Sequence, residues 1–176
     1  MRMFKPTTKV PLTPDRFTDR LTQFLPKPLT ATDWDDYGLT RIGEQPDAVV
    51  KEMLSLALYW MKSAMDAHYA GIAEVLLWPR LLERVADAWQ PTYALAISDW
   101  DGFLAELPNR MGDYFRVTEQ GGSALSVCTE ACAYLEGQWA VRGHEQPALL
   151  ALFTDSIASE AIGRVFETTE LVAPNS

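Results

Sequence analysis

The amino-acid sequence predicts an all-α fold: a single-domain helical bundle of about five to seven helices with at most one short strand pair. Three observations support this class. Apolar residues recur at intervals of three and four over most of the chain, and prolines and glycines separate these runs. Hydrophobic residues make up 48% of the 176 residues and charged residues 22%, so the chain can form a hydrophobic core.

The N-terminal segment has no apolar periodicity. Residues 1–12 contain two prolines and more basic than acidic side chains, which predicts an extended basic arm. Thr13-Pro14-Asp15 then begins the first helix, because a threonine cap, a proline and an acid suit a helix N-terminus. Pro26 ends this helix. A connector follows to residue 46, with one short helical turn from Thr32.

The most apolar helix is predicted over 48–69. Residues 54–61 are apolar on nearly every side of such a helix, which is typical of the centre of a bundle or of a large interface. A second apolar run, Ile72–Trp78, follows, and Pro79 interrupts it or begins a new helix. Since a membrane span requires about 20 apolar residues, no span and no membrane partner are expected.

The segment after residue 97 begins with a helix signal. Ser98 and Asp101 have the spacing of a capping box, and the apolar residues that follow predict a helix that Pro108 closes. Residues 108–122 are expected to be rich in loops, with one short strand over 114–117.

Two further helices are predicted near the C-terminus, over 123–142 and 147–166. Ser123 caps the first of them, and apolar residues recur at helical spacing in both. The helical domain therefore extends over 13–166, and residues 167–176 are expected to form a frayed tail.

The charge of the chain is unevenly distributed. The formal net charge is −9, with +4 over residues 1–30 and −13 over the remainder. Proteins that bind nucleic acid over a whole domain are normally basic, so no nucleic-acid partner is expected for the acidic body. The basic arm either lies solvated against this body or contacts a partner.

Cys128 and Cys132 are four residues apart, which suits neither a C-x-x-C redox motif nor a zinc ribbon. On a helix they lie on the same face as neighbouring apolar residues, so we predict two buried, reduced thiols. With no disulfide framework and no apparent signal peptide, the expected location is cytoplasmic.

No catalytic residue, metal ligand or cofactor-binding residue is predicted, and no cofactor is expected. The chain has two histidines, His68 and His144, and neither lies in a metalloprotease or di-iron motif. A nucleophile elbow is absent from the sequence, and Gly121-Gly122-Ser123 lacks the preceding strand of a phosphate-binding loop. The sequence therefore favours a protein without catalytic activity.

Two tryptophans, Trp34 and Trp100, each stand between two aspartates at a loop or at a helix start. Exposed tryptophans are enriched at binding hot spots, and surrounding acids steer a basic partner towards them. The alternative is that both rings pack onto the body beneath their own loops. The candidate partner-binding residues are Asp33, Trp34, Asp35, Asp36, Tyr37, Asp99, Trp100 and Asp101.

The segment 33–37 also has a second interpretation. Closely spaced carboxylates suit a hard cation such as magnesium or calcium, but the spacing of an EF-hand loop is absent. A solvated acidic connector is the simpler interpretation.

The predicted function is that of an acidic helical protein-interaction module, which binds and thereby inhibits or scaffolds another protein. One subset of such proteins mimics the charge of nucleic acid. The partner is a foreign protein, or a second copy of the chain in a homodimer through apolar surface of Leu54–Leu77.

The alternative function is that of a helical enzyme or a small-ligand-binding protein with an apolar pocket near the 54–65 helix. The side chains expected to line that pocket are Tyr59, Trp60, Met61 and Met65, with His68 at its mouth.

Overall fold

The computed structural model describes residues 9–39 and 45–173, and within these ranges the predicted all-α class is confirmed. The first eight residues of the predicted arm, residues 40–44 of the connector and the last three residues of the predicted tail lie outside the described residues. In chain order the helices and strands are β1 (Val10–Leu12), α1 (Pro14–Thr22), α2 (Ala31–Asp36), α3 (Pro46–Ile72), α4 (Trp78–Trp89), α5 (Trp100–Glu119), α6 (Ala124–Gly137), α7 (Gln146–Ser156), α8 (Ser159–Thr168) and β2 (Thr169–Leu171).

Helix α3 lies at the centre of the bundle, as its apolar sequence predicts. Residues 52–59 are all buried, including the polar Glu52 and Ser55. Helices α5, α6 and α8 pack around α3. Ala73 and Leu77, in the second apolar run, are buried as well. The helices of one chain therefore cover most of both apolar runs, although Val75 is 77% exposed, and the expected homodimer stays a prediction.

An irregular segment joins α3 to α4. Tyr69 has non-helical backbone angles, with φ of −138° and ψ of 37°, and a π-helical turn follows over Ala73–Leu77. Pro79 lies in the first turn of α4, where its missing N–H would have no helical partner. Two ion pairs join α4 to α1, Arg80 to Asp15 at 2.7 Å and Arg84 to Asp19 at 2.8 Å.

Helix α5 corrects a prediction. It continues for 20 residues through Pro108, so the strand expected over 114–117 and the loop expected over 108–119 are wrong, and the expected loop remains only over 120–122. The physical reason is packing, because four side chains at helical spacing share one buried face. These residues are Phe103, Leu107, Arg110 and Tyr114. Their burial outweighs the single backbone hydrogen bond that a proline removes from an exposed position.

The two ends of the described chain meet in a parallel pair of strands. Val10 lies opposite Thr169, and Leu12 lies opposite Leu171. The Tyr69 hydroxyl donates to the Thr169 carbonyl at 2.9 Å and so attaches this pair to the end of α3. The expectation of a frayed tail is therefore wrong for 167–171, where the last two residues of α8 lead directly into β2.

The C-terminal helices begin where they are predicted and end earlier. Ser123 caps α6, but the helix ends at Gly137 rather than at residue 142. The helix predicted over 147–166 is divided at Ile157, where φ of −102° and ψ of 105° are extended values. The predicted burial of Cys128 and Cys132 is confirmed, and both thiols are free. No helix in the described ranges has the length and apolar character that crossing a membrane requires.

Candidate functional site

The predicted binding residues on α2 mostly have structural partners. Asp33 accepts hydrogen bonds from the Thr30 hydroxyl at 2.6 Å and from the Thr30 backbone N–H at 2.7 Å. These bonds lower the pKa of the Asp33 carboxyl. Trp34 is half-buried against the core, and the Tyr37 hydroxyl donates to Asp155 at 2.8 Å. Within the described part of the chain, no group of three His, Cys, Asp or Glu side chains is arranged to hold a metal ion.

The second predicted cluster begins α5. Asp99 accepts a hydrogen bond from the Lys51 ammonium of α3 at 2.6 Å, and this contact lowers the pKa of the Asp99 carboxyl. The half-buried Trp100 ring meets the Trp89 ring edge-on, with centroids 5.0 Å apart. Asp101 is exposed. The two clusters therefore lie on different helices, and each makes its polar contact with a different part of the bundle.

A cavity of about 760 Å³ opens between the first half of α3, the first half of α5 and the end of α6. Asp99 and Lys51 lie on its lining, so one predicted binding residue contributes to it. The lining is mixed, with several charged side chains beside apolar ones from α5 and α6.

A buried ion pair forms the floor of this cavity. Arg110 of α5 donates to Glu52 of α3 through Nη2 at 2.5 Å and through Nε at 3.2 Å, and each side chain is 3% exposed. The Tyr114 hydroxyl also donates to Glu52, and Arg110 Nη1 donates to Asp113 at 2.7 Å. The Tyr134 ring of α6 lies 3.7 Å from the guanidinium carbon. One charge network thus connects three helices.

Burial raises the pKa of the Glu52 carboxyl, while the hydrogen bonds and charge of Arg110 oppose that rise. Burial and the Glu52 charge raise the pKa of Tyr114 well above its ordinary value. Five hydrogen bonds occupy the Arg110 guanidinium, so this residue is held in place rather than poised to react. The arrangement provides a rigid charged wall suited to binding.

Sequence reasoning missed this network because Arg110 falls in the segment predicted as a loop. A signal was present in Glu52, which stands inside the apolar run of α3. A carboxylate on a buried helix face requires a buried partner, since an unpaired charge there is strongly destabilising. The sequence does not specify which distant arginine supplies that partner.

The pocket expected near the 54–65 helix is not formed by the residues predicted for it. Met61 and Met65 are fully buried in the core, and the Tyr59 hydroxyl is hydrogen-bonded to Thr118 at 2.8 Å. His68 is exposed, and its ring lies 5.8 Å from the Phe166 ring. The cavity lies instead beside the first turns of α3, because α5 continues past Pro108 and forms a wall there.

Trp139, just beyond α6, is 89% exposed. The helix predicted over 123–142 includes Trp139, but α6 ends at Gly137, two residues before it. The Trp139 N–H donates to the Glu136 carbonyl at 2.9 Å, and the Ala140 N–H donates to the Leu135 carbonyl at 2.9 Å. These two bonds form a Schellman motif with Trp139 at its left-handed position, where φ is 61°.

Two other helices end with the same hydrogen bonds but with glycine at the left-handed position. After α5, the Gly121 N–H donates to the Thr118 carbonyl at 3.0 Å, and φ of Gly121 is 82°. After α2, the Gly38 N–H donates to the Asp35 carbonyl at 2.9 Å, and φ of Gly38 is 72°. Glycine is the usual residue here because a Cβ disfavours positive φ. Among the described residues, Ala94 after α4 and Trp139 are the two non-glycine residues with positive φ, at 55° and 61°. Trp139 is the one of the two that carries a large apolar side chain, and this side chain is exposed.

Comparison with protein-family models, with curated proteins and with solved structures finds no match to this chain. Its function is inferred from the contacts, exposure and charge of its own residues.

Proposed function

We propose that the protein is an interaction module that binds a basic protein partner, and that Trp139 anchors this partner. The observation that carries the proposal is the exposed tryptophan on a left-handed backbone. Tryptophan is among the residues most enriched at binding hot spots, because its large ring gains much burial on association.

Folding alone favours glycine at position 139. A side chain on a left-handed backbone costs roughly 1–2 kcal/mol, and glycine avoids that cost. The indole gains little in return, since 89% of the residue is exposed. Backbone strain of this kind is characteristic of functional sites, where a further contact offsets it. Binding of a partner would supply that contact.

The acidic charge of the protein favours a basic partner. The chain carries a net charge of −9. Helix α6, which leads to Trp139, contains Glu130 and Glu136 and no basic residue. The exposed Asp35, Asp36 and Asp101 of the predicted clusters add to this field. An acidic surface accelerates association with a basic partner and disfavours an acidic one.

The experiment compares proteins captured from the source cells by the wild-type chain, by Trp139→Gly and by Phe115→Ala. Phe115 is the matched control, because it is a large aromatic residue that is 53% exposed on α5. A specific partner should be captured by the wild type and by Phe115→Ala, and lost with Trp139→Gly.

The captured protein is then purified and its affinity measured at several salt concentrations. Loss of a hot-spot tryptophan should weaken binding about 30-fold, and added salt should slow association. An acidic partner, or equal binding by all three chains, would contradict the proposal.

A further inference from the structure

We propose that the cavity between α3, α5 and α6 is a binding site for a small organic cation with an apolar body. Trp139 does not line this cavity, although the preceding Gln138 does, and the proposal does not depend on the protein partner. Its volume of about 760 Å³ lies within the roughly 300–1,000 Å³ that is typical of small-molecule sites.

The charges on the lining favour binding of a positively charged ligand. Among the residues that the structure describes, four carboxylates and two basic side chains line the cavity. Arg110 is paired with Glu52 and Lys51 with Asp99, so the two basic groups are already neutralised. The other two carboxylates, Asp47 and Glu106, form no ion pair with any residue that the structure describes. The lining therefore has an acidic excess that an ammonium group would neutralise.

The apolar residues of the lining favour a ligand with an apolar aromatic or aliphatic group. Phe103 and Leu107 of α5 and Leu135 of α6 contribute buried side chains, and the Tyr134 ring lies beside them. An aromatic or aliphatic group would exclude water from these surfaces on binding. The buried Glu52–Arg110 pair holds α3 and α5 together at the floor of the cavity, so the protein loses little conformational freedom when a ligand binds.

Gly102 offers a position from which the site can be tested. It lies in the first turn of α5 and on the lining of the cavity, and a Cβ added there would meet no atom within 4 Å. A larger side chain at position 102 would therefore enter the cavity without displacing protein atoms.

The first experiment measures binding of three amines, tryptamine, phenethylamine and hexylamine, by calorimetry and by thermal shift. Matched anions are indole-3-propionate, 3-phenylpropionate and heptanoate. At least one amine should bind saturably and raise the melting temperature, at least tenfold more tightly than its anion. The proposal is wrong if no amine binds at about 10 mM, or if the anions bind equally well.

The second experiment locates the bound amine with a pair of glycine variants in α5. Gly102→Leu places a side chain in part of the cavity and should weaken amine binding at least tenfold. Gly112→Leu is the control, because a Cβ there also meets no atom within 4 Å but the residue does not line the cavity. Both variants should fold, since each gains helix propensity. Unchanged amine binding by Gly102→Leu would overturn the proposal.

A third variant tests the charge argument. Glu106→Gln removes one of the two carboxylates without an ion-pair partner among the described residues, and should weaken amine binding about fivefold, because an exposed ion pair contributes modestly. Equal affinity of Glu106→Gln and the wild type would contradict the role of Glu106. Trp139→Gly should retain full amine binding, which distinguishes this site from the proposed protein anchor.

Discussion

The C-terminal ends of α5 and α6 have the same backbone hydrogen bonds but different residues at the left-handed position. Gly121 follows α5 and Trp139 follows α6. At α5 the residue is the one that folding favours. At α6 the residue adds strain and leaves a large apolar side chain in water. This difference is the observation on which the proposed binding role of Trp139 rests.

This comparison requires that both helices are held equally firmly by the core. Arg110 of α5 contacts Glu52 of α3 and the Tyr134 ring of α6, so one network holds the two helices together. Exposure of Trp139 therefore does not result from a loosely packed helix.

The largest effect on stability is expected when the Glu52–Arg110 network is disrupted. Glu52→Ala leaves the buried Arg110 charge without its main partner and should lower the free energy of unfolding by about 3–5 kcal/mol. Urea denaturation measures this change. The double variant Glu52→Met with Arg110→Met should recover most of the loss, because paired apolar side chains need no compensating charge. A loss below about 1 kcal/mol for Glu52→Ala would show that the network does not fix the helices.

The next largest effect on stability is expected when the tryptophan found at the end of α6 is placed at the corresponding position after α5. Gly121→Trp should lower the free energy of unfolding by about 1–2 kcal/mol, since any Cβ strains a positive φ. Gly121→Ala is the control and should cost nearly as much, because a Cβ at this position meets no atom within 4 Å. Thermal denaturation compares the two variants. An unchanged melting temperature would mean that the helix end relaxes without cost.

The reverse transfer should stabilise the protein. Trp139→Gly relieves the strain at the end of α6 and should raise the free energy of unfolding by about 0.5–1 kcal/mol, an increase that the greater freedom of glycine in the unfolded chain limits. Chemical denaturation provides the measurement. A decrease would show that the indole packs on the chain in solution and would remove the main support for a binding role.

The smallest effect on stability is expected from a variant that removes the indole ring but keeps a Cβ at the left-handed position. Trp139→Ala keeps a Cβ at positive φ and removes only the exposed ring, so the free energy of unfolding should change by less than about 0.5 kcal/mol. Partner binding should nevertheless fall as far as with Trp139→Gly. If Trp139→Ala retains full partner affinity, the ring is not the anchor.

The sequence by itself determined where most helices begin and which of them is central. Thr13 and Ser123 cap helices as predicted, since an N-cap acts on backbone groups only three residues away. The burial of residues 52–59 and of both cysteines follows from periodicity, because a continuous apolar surface must leave water. These features depend on neighbours in sequence, so local patterns are sufficient to predict them.

Tertiary structure alone decided the elements from which the candidate sites are built. Helix α5 passes Pro108 because its buried face packs on α3 and α6, and this continuation forms the cavity wall and brings Arg110 to Glu52. Strand β1 forms because its partner lies at the other end of the described chain. Each outcome depends on contacts between residues far apart in sequence, whose free energy exceeds the local preferences that a pattern records.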